Sequence, residues 1–351
     1  MTVNRESPLP AYYQIAMDLH QRISRGEWRA GGKLPSEPQL ASQYKVSRMT
    51  LRQAVSELAK QGILTRRQGD GTYVSRAYLD ITYRPKDEPV IGNDTGATKT
   101  LMRQQVWEKM RQVAYPDSRF HWNFEEFVPD FEGSDLCAQS IRALSCYQSS
   151  QLLFIAPDNS LAKIRQFAIE DQKALIVATH GIQRGFRYIE PGSVPSGQEA
   201  FCATLDGMER FSRPISLDEI QGLGKIDLLI TGTSLVTERG VRWGKGHGYF
   251  DLEWAIFCEL GIVDGEVPVV AVGHELQVVP ADLKPSPVDT IADIIVTPTR
   301  VTYVPLVYPK PEGILWDYVS PELLDRTPPL QALYERRKEH LQSSSPVEMD
   351  S

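Results

Sequence analysis

The chain has no uninterrupted apolar run of the about 18 residues that would span a bilayer as a helix, so a membrane partner is not expected. No apolar leader core follows Met1, and a secretory signal is not expected. Cysteine is scarce. Cys137, Cys146, Cys202 and Cys258 stand far apart with no Cys-x-x-Cys pair, which excludes a disulfide framework and a zinc site and leaves buried free thiols in a reducing cytoplasm. The 6 histidines are equally dispersed, and no His/Cys/carboxylate cluster has metal-ligand spacing. No internal repeat appears, and the polar tail over 341–351 alone is of low complexity.

Charge is present but unevenly placed. Residues 1–78 carry 12 Lys+Arg against 6 Asp+Glu, a net of +6. The chain as a whole is −7, so residues 79–351 hold 26 against 39, a net of −13. A basic module on an acidic body is the footprint of phosphate binding at one end. A length of 351 residues suits two or three domains. The boundaries expected are 1–78 for a DNA-binding domain, 79–97 for a linker rich in Pro, Gly and mixed charge, and 98–340 for a second domain.

Leu34 to Val74 reads as one DNA-reading device. A short helix opens at Ser36, whose hydroxyl suits the N-cap. A turn at Tyr44–Val46 follows, and a second helix opens at Ser47 with Arg48 and Arg52 on one face. Ile63–Arg67 and Thr72–Ser75 flank a Gln68-Gly69-Asp70-Gly71 turn as a two-stranded wing. Helix, turn, helix and wing put one helix in the major groove with a hairpin beside it. Arginine makes bidentate bonds to guanine. Ser47 and Thr50 are short hydroxyls near a helix start, suited to phosphate oxygens, and Arg66 and Arg67 on the wing suit the backbone. Upstream, Tyr12, Ile15, Ala16, Leu19 and Ile23 keep a helical period and form core, with His20 expected on the surface.

These residues resemble the winged helix-turn-helix of GntR-type bacterial transcription regulators. The resemblance runs over 8–75 and includes Pro8-Leu9-Pro10-Ala11-Tyr12-Tyr13-Gln14-Ile15, Gly26-Glu27-Trp28, Leu34-Pro35-Ser36-Glu37, Val46-Ser47-Arg48-Met49-Thr50-Leu51-Arg52-Gln53-Ala54 and Arg66-Arg67-Gln68-Gly69-Asp70-Gly71-Thr72. It implies that Arg48 and Arg52 read bases, with Gln53 in the same motif, and that the wing tip at Gly69–Gly71 approaches the minor groove. It also implies a homodimer on double-stranded operator DNA and a small-molecule effector. Pro38 stands where many relatives have Arg, which removes one phosphate contact.

Beyond the linker the pattern changes. A weak strand is expected at Tyr78–Tyr83 and an amphipathic helix at Thr100–Tyr115. Short apolar runs then alternate with helical segments: Leu152–Ala156, Ala174–Ala178, Asp227–Thr231, Val269–Val272 and Ile294–Thr297. This predicts an α/β fold, a Rossmann-like, mostly parallel sheet flanked by helices.

The second chemical signal is Arg242-Trp243-Gly244-Lys245-Gly246-His247-Gly248-Tyr249-Phe250-Asp251, ahead of an apolar helix at Leu252–Leu260. Alternate glycines let the backbone approach a ligand and expose successive N–H groups to an anion. The positive end of the following helix faces the same point, Arg242 and Lys245 add cations, and Asp251 could hold Mg²⁺ on phosphate oxygens. Neither the P-loop spacing nor the dinucleotide fingerprint is met.

This segment resembles the Arg-Leu-Gly-x-Gly-x-Gly-Tyr-Tyr-Asp signature of the 5-formyltetrahydrofolate cyclo-ligase (methenyltetrahydrofolate synthetase) family, with Trp243 and Phe250 as departures. Lys99, Arg103 and Val106-Trp107 resemble its N-terminal helix. Pro129-Asp130-Phe131-Glu132-Gly133 resembles a Pro-Asn-Phe-x-Gly element, with Asp130 in place of Asn. Pro157-Asp158 with Arg165, Asp289, Thr297-Pro298-Thr299-Arg300 and Gly313-Ile314-Leu315-Trp316-Asp317 follow in order, so the likeness covers 98–338. It implies Mg-ATP-driven closure of 5-formyltetrahydrofolate to 5,10-methenyltetrahydrofolate with release of ADP and phosphate. By position, Lys99, Arg103, Arg242, Gly244, Lys245, Gly246 and Gly248 would hold ATP phosphates. Tyr249 would line the folate site, and Asp251 and Asp289 would serve Mg²⁺. Two readings stay open: a regulator whose cyclo-ligase-like domain binds a nucleotide- or folate-type effector, and a working cyclo-ligase joined to a DNA-binding module.

Overall fold

The computed structural model describes residues 11–24, 27–28, 31–60, 63–67, 70–75, 96–244, 248–280, 283–305 and 307–343, with backbone alone at 13, 17, 20, 21, 24, 60, 96–100 and 340–343. The strand expected at Tyr78–Tyr83 and most of the linker lie outside the described residues, as does the tail beyond Ser343. The chain divides into two units, Met1–Thr82 and Tyr83–Ser351. Among the described residues no helix is long and apolar enough to cross a membrane.

The first unit contains α1 (Ala11–Ser24), α2 (Glu37–Tyr44), α3 (Arg48–Lys60), β1 (Leu64–Arg67) and β2 (Gly71–Val74). Its core joins Ile15, Leu19 and Ile23 of α1 to Leu40 of α2 and to Leu51, Ala54, Val55 and Leu58 of α3. These are the positions that the helical period assigns to the inner faces. Gln39 reaches back to accept the Ser36 N–H at 2.9 Å, closing the start of α2. The turn into α3 passes through Lys45 in the left-handed region (φ 53°), where its N–H meets the last carbonyls of α2. Ser47 then accepts the Thr50 N–H at 3.1 Å and caps α3. β1 and β2 pair antiparallel from Leu64↔Val74 to Arg67↔Gly71. One feature is absent from the sequence reading: Gly31–Leu34 lies along β2, with the Leu34 N–H donating to Thr72 O at 2.9 Å and the Val74 N–H to Gly32 O at 2.9 Å. The wing therefore has a third edge.

In the second unit, α4 (Gly96–Met110) and α5 (Ser134–Arg142) precede β3 (Leu152–Ile155), α6 (Ala162–Glu170), β4 (Ala174–Ala178), β5 (Phe186–Ile189), α7 (Leu205–Phe211) and β6 (Arg213–Ile215). Then come α8 (Leu217–Gly222), β7 (Leu228–Gly232), β8 (Leu235–Thr237), β9 (Arg242–Trp243), α9 (Tyr249–Glu259), β10 (Val269–Val272), β11 (Val278–Val279), β12 (Ile294–Val296), β13 (Val301–Tyr303), α10 (Pro321–Arg326) and α11 (Pro328–Ser343). Eight strands form one sheet in the order β13-β12-β10-β7-β3-β4-β5-β6. The five expected apolar runs are its central, mutually parallel strands. Being buried on both faces, they show no alternation. The antiparallel strands β5, β6 and β13 were not expected from sequence. A small sheet β11-β8-β9 stands apart.

Two helix boundaries differ from expectation. α4 stops at Met110 because the chain turns there, and Tyr115 donates its N–H to Asp130 O at 2.8 Å instead of extending the helix. α9 starts at Tyr249 rather than Leu252, because Gly248 at φ 66° ends the loop and opens the helix. α9 is buried along nearly all its length, and its Phe257 packs on Phe154 and Phe186 with ring centroids 5.1 and 5.0 Å apart. The segment beyond Arg300 belongs to this core: Leu330 and Leu333 are buried, and the Trp254 indole donates to Pro311 O at 2.8 Å. The four cysteines are free thiols, raised by burial, so none is an activated nucleophile.

The strand order fixes where a ligand can lie. From β3 the chain steps to β4 on one side and later to β7 on the other, so the order reverses between β3 and β7. In open α/β sheets the crevice beyond the carboxyl ends of such strands is the binding place.

Candidate nucleic-acid interface and ligand cleft

On the first unit, the solvent face of α3 carries Arg48, Arg52 and Gln53, all exposed. Arg52 is not loose. Its Nε and Nη2 each donate to Glu37 Oε2 at 3.2 Å, and Arg66 Nη2 donates to the Arg52 carbonyl at 3.0 Å. Glu37 thus holds Arg52 of α3 and Arg66 of the wing in one exposed network; its energetic weight is small, but it narrows the rotamers available to both. Arg67 lies over the Tyr73 ring at 4.4 Å. Lys33, which the sequence reading passed over, sits at the wing tip and pairs with Asp70 at 2.9 Å. Gly71 has φ 138°, a backbone conformation that strains any residue with a Cβ and so favours glycine. Ser36 and Ser47 serve as helix caps, and Thr50 shares its hydroxyl with Ser47 at 2.8 Å. Gly69 lies outside the described residues. Replacing Arg52 with Ala is expected to weaken operator binding by about 1–3 kcal/mol and to relax sequence preference at one position. Titration of the variant against matched and mismatched duplexes checks this.

On the second unit, a cleft of about 290 Å³ opens beyond the carboxyl ends of β3 and β4. It continues into a smaller recess of about 70 Å³ beside β7 and the start of α9. Pro157, Asp158, Thr179 and His180 border both. The floor is rigidly made. Arg165, fully buried, donates to the carbonyls of Ala156 (2.7 Å), Asp158 (2.9 Å) and Ala203 (2.9 Å), which fixes the loop after β3. Burial pushes this guanidinium down to about 10, still protonated at neutral pH. The Asp158 carboxylate accepts the Gly232 N–H at 2.9 Å. A Cβ on Gly232 would lie 2.9 Å from both Asp158 Oδ2 and Val128 Cγ1. Gly232→Val is therefore expected to separate β7 from the β3 loop, costing about 1–3 kcal/mol by overpacking and deforming the recess, a loss that thermal melting would detect.

The recess holds Arg242, Gly244, Gly248, Tyr249 and Asp251 from the glycine-rich segment. Gly248 caps α9, whose amino end gives this point a positive potential. Arg242 and Asp251, expected as separate ligands to phosphate and magnesium, are each other's partner: Arg242 is 2% exposed and its Nη2 lies 2.7 Å from Asp251 Oδ1. The same oxygen accepts the Thr290 N–H at 2.9 Å. Arg242 also stacks over Phe250 at 4.4 Å, and among the described residues its Nε has no hydrogen-bond partner. Burial raises the Asp251 carboxyl above its ordinary 3.8, with Arg242 opposing and the nearby Asp289 adding to the rise. Asp251 Oδ1 is taken by Arg242 and the Thr290 N–H, and Asp289 is tied to the Ser286 turn at 2.8 Å. Among the described residues no three His, Cys, Asp or Glu side chains are grouped to hold a metal ion. The donor set thus does not fit magnesium as expected from these two carboxylates.

Tyr249 faces the turn after β4, where a Cβ on Gly181 (φ 59°) would come within 3.1 Å of its hydroxyl. The wall of the larger cleft came from residues that sequence reasoning missed. His180 stacks on Phe120 with centroids 5.7 Å apart, Phe120 on Phe127 at 6.3 Å, and Arg184 and Arg187 line the rim, each paired with Glu209. Arg103 does not line either hollow; it is buried on α4 with its guanidinium 6.0 Å from the Trp107 ring. The Lys99 side chain, Lys245 and Gly246 lie outside the described residues.

Fold and cleft define a winged helix-turn-helix joined to an open α/β domain with its crevice at the strand reversal. Residues 11–74 match the family model for bacterial regulatory proteins of the gntR family, and residues 95–298 match that of the 5-formyltetrahydrofolate cyclo-ligase family. The chain belongs to the 5-formyltetrahydrofolate cyclo-ligase family and carries a GntR-type DNA-binding domain fused ahead of that fold. It is 35% identical over 251 residues to the methenyltetrahydrofolate synthase domain-containing protein of Homo sapiens, covering 70% of this chain and 63% of that one. It is also 37% identical over 115 residues to the HTH-type transcriptional repressor NagR of Bacillus subtilis, covering 33% and 44%. The chain spans a little under two thirds of the length of the curated synthase-domain relatives it matches. Among solved structures, the AraR DNA-binding domain in complex with operator ORE1 shares 38% identity over 20% of this chain and 88% of its own, with TM-score 0.20. The 5,10-methenyltetrahydrofolate synthetase of Aquifex aeolicus shares 17% over 59% of this chain and 92% of its own, with TM-score 0.36.

Proposed function

We propose that the chain is a transcription regulator of GntR type whose cyclo-ligase-like domain holds a nucleotide- or folate-type effector. The observation that carries this reading is the presence in one chain of an exposed Arg48/Arg52 reading face and of an α/β crevice with a glycine-capped helix start beside Arg242. Arg48 and Arg52 contact base edges; Arg66, Arg67 and Lys33 contact phosphates around the wing. A homodimer sets two such faces on a pseudo-palindromic operator about one helical turn apart. In the crevice, the anionic part of the effector lies at the amino end of α9 near Gly244 and Gly248. Its flat ring lies against Tyr249 and the His180–Phe120 wall. The effector acts as a switch by binding the DNA-competent and incompetent states with different affinity.

The test uses the full chain. Duplex selection from a random pool should yield a palindromic site whose binding constant falls linearly in log salt. ATP or 5-formyltetrahydrofolate at about 100 times its Kd should stabilise the chain by about 2.7 kcal/mol and shift operator affinity. Failure to enrich any duplex would overturn the regulator reading, and a ligand-independent operator affinity would overturn the switch. A second reading, an active ATP-dependent cyclo-ligase, is supported by the retained glycine spacing and by Tyr249 in the recess. Conversion of 5-formyltetrahydrofolate to the methenyl product by the full chain with Mg-ATP would establish it.

A further inference from the structure

We propose that Met49 reads the C5-methyl group of a thymine in the major groove, next to the guanine contacts of Arg48 and Arg52. This rests on the DNA-binding reading above and adds a specificity residue to it. Met49 is the second residue of α3 and is 73% exposed, although it is a large apolar side chain. The core of the first unit is filled without it: Leu51, Ala54, Val55 and Leu58 occupy the inner face of α3. At about 100° per residue, Arg48, Met49, Arg52 and Gln53 share one outward arc of about 140°. The amino-terminal residues of a recognition helix are those that meet base edges. On that arc the chemistry divides the bases. The guanidinium forks match guanine O6 and N7, and the Gln53 amide matches adenine N6 and N7. Thymine offers an apolar methyl, which calls for an apolar partner. A thioether on three rotatable bonds adapts its reach to that methyl. A lone exposed methionine elsewhere on the surface needs no explanation. This one lies inside the charged face that the duplex covers, where its apolar surface is desolvated on binding.

The experiment takes the duplex selected by the full chain and replaces each thymine in turn by deoxyuridine, which removes the methyl group and leaves pairing unchanged. One position per half-site should lose about fourfold in affinity, the worth of one buried methyl. In Met49→Ala the same replacement should cost nothing, because the partner is gone. The salt slope of Met49→Ala should match that of the parent, because no phosphate contact is removed. Met49→Gln should move the preference away from thymine at that position. Sequence-selective binding that tolerates every deoxyuridine, or a loss of the same size in Met49→Ala, would overturn the assignment to Met49 while leaving the DNA-binding reading intact. Absence of binding to any duplex would instead overturn that reading, and this inference with it.

Discussion

Replacing Arg242 with Met should cost the second unit about 3–5 kcal/mol near pH 8 and much less near pH 5. The pair it breaks is buried, with 2.7 Å between Arg242 Nη2 and Asp251 Oδ1, and methionine keeps much of the volume while leaving the carboxylate without its counter-charge. Removing one member of a buried pair is far worse than removing both, because the remaining ion keeps its desolvation penalty. The pH dependence follows from linkage. Burial already raises the Asp251 carboxyl above 3.8 in the folded chain, against the pull of Arg242; without Arg242 it rises further. An acid whose folded value lies above its unfolded one favours folding when protonated. The penalty is therefore absent at low pH, where Asp251 is protonated in the folded state of parent and variant alike, and grows as pH rises above the parent's folded value toward the higher value of the variant. Denaturant unfolding of parent and variant at the two pH values measures the difference. Adding Asp251→Asn to the variant should recover part of the loss at pH 8. An equal loss at both pH values would mean that the guanidinium acts through packing on Phe250 and not as a counter-ion.

Arg165→Met should be comparably damaging without that pH signature. Three carbonyls, of Ala156, Asp158 and Ala203, lose the donor that a fully buried guanidinium supplies. Each unsatisfied buried acceptor costs on the order of 1–3 kcal/mol, and partial relaxation brings the expected total to about 3–5 kcal/mol. Arg165→Lys should recover little, since a single ammonium cannot reproduce the planar fork that spans carbonyls on two loops. The cleft should loosen along with the fold, because the loop that Arg165 ties down presents the Asp158 carboxylate to Gly232. A melting temperature unchanged from that of the parent would show that the loop after β3 is held by other means.

Legibility in the sequence followed the range of the interactions. The helix-turn-helix was readable because its caps, turn and apolar period lie within a few residues of one another. Ile15, Leu19 and Ile23 on one helix and Leu51, Val55 and Leu58 on another need no distant partner to be recognised as inner faces. The central strands were readable for the same reason, as compact apolar runs between turns. β5, β6 and β13 were not, because these short antiparallel strands carry polar residues such as Arg187, Arg213 and Thr302 and resemble loops. The glycine-rich segment stood out in the sequence, yet the pairing of its charges did not. Arg242 and Asp251 are 9 residues apart in sequence, and only the turn into α9 folds them face to face. The aromatic wall of Phe120, Phe127 and His180 had no local signature at all, since it is assembled from loops that the strand order alone brings together.

The core of the first unit draws its residues from Tyr12 to Val74, and that of the second from Met102 onward. Two separate cores in one chain make the DNA-reading head a transferable part. Grafted before a different fold, it should keep its own packing and its exposed α3 face. The cyclo-ligase-like fold, in turn, should keep its crevice when detached. Evolution can then exchange either unit without rebuilding the other's core, and an engineer can do the same with one junction.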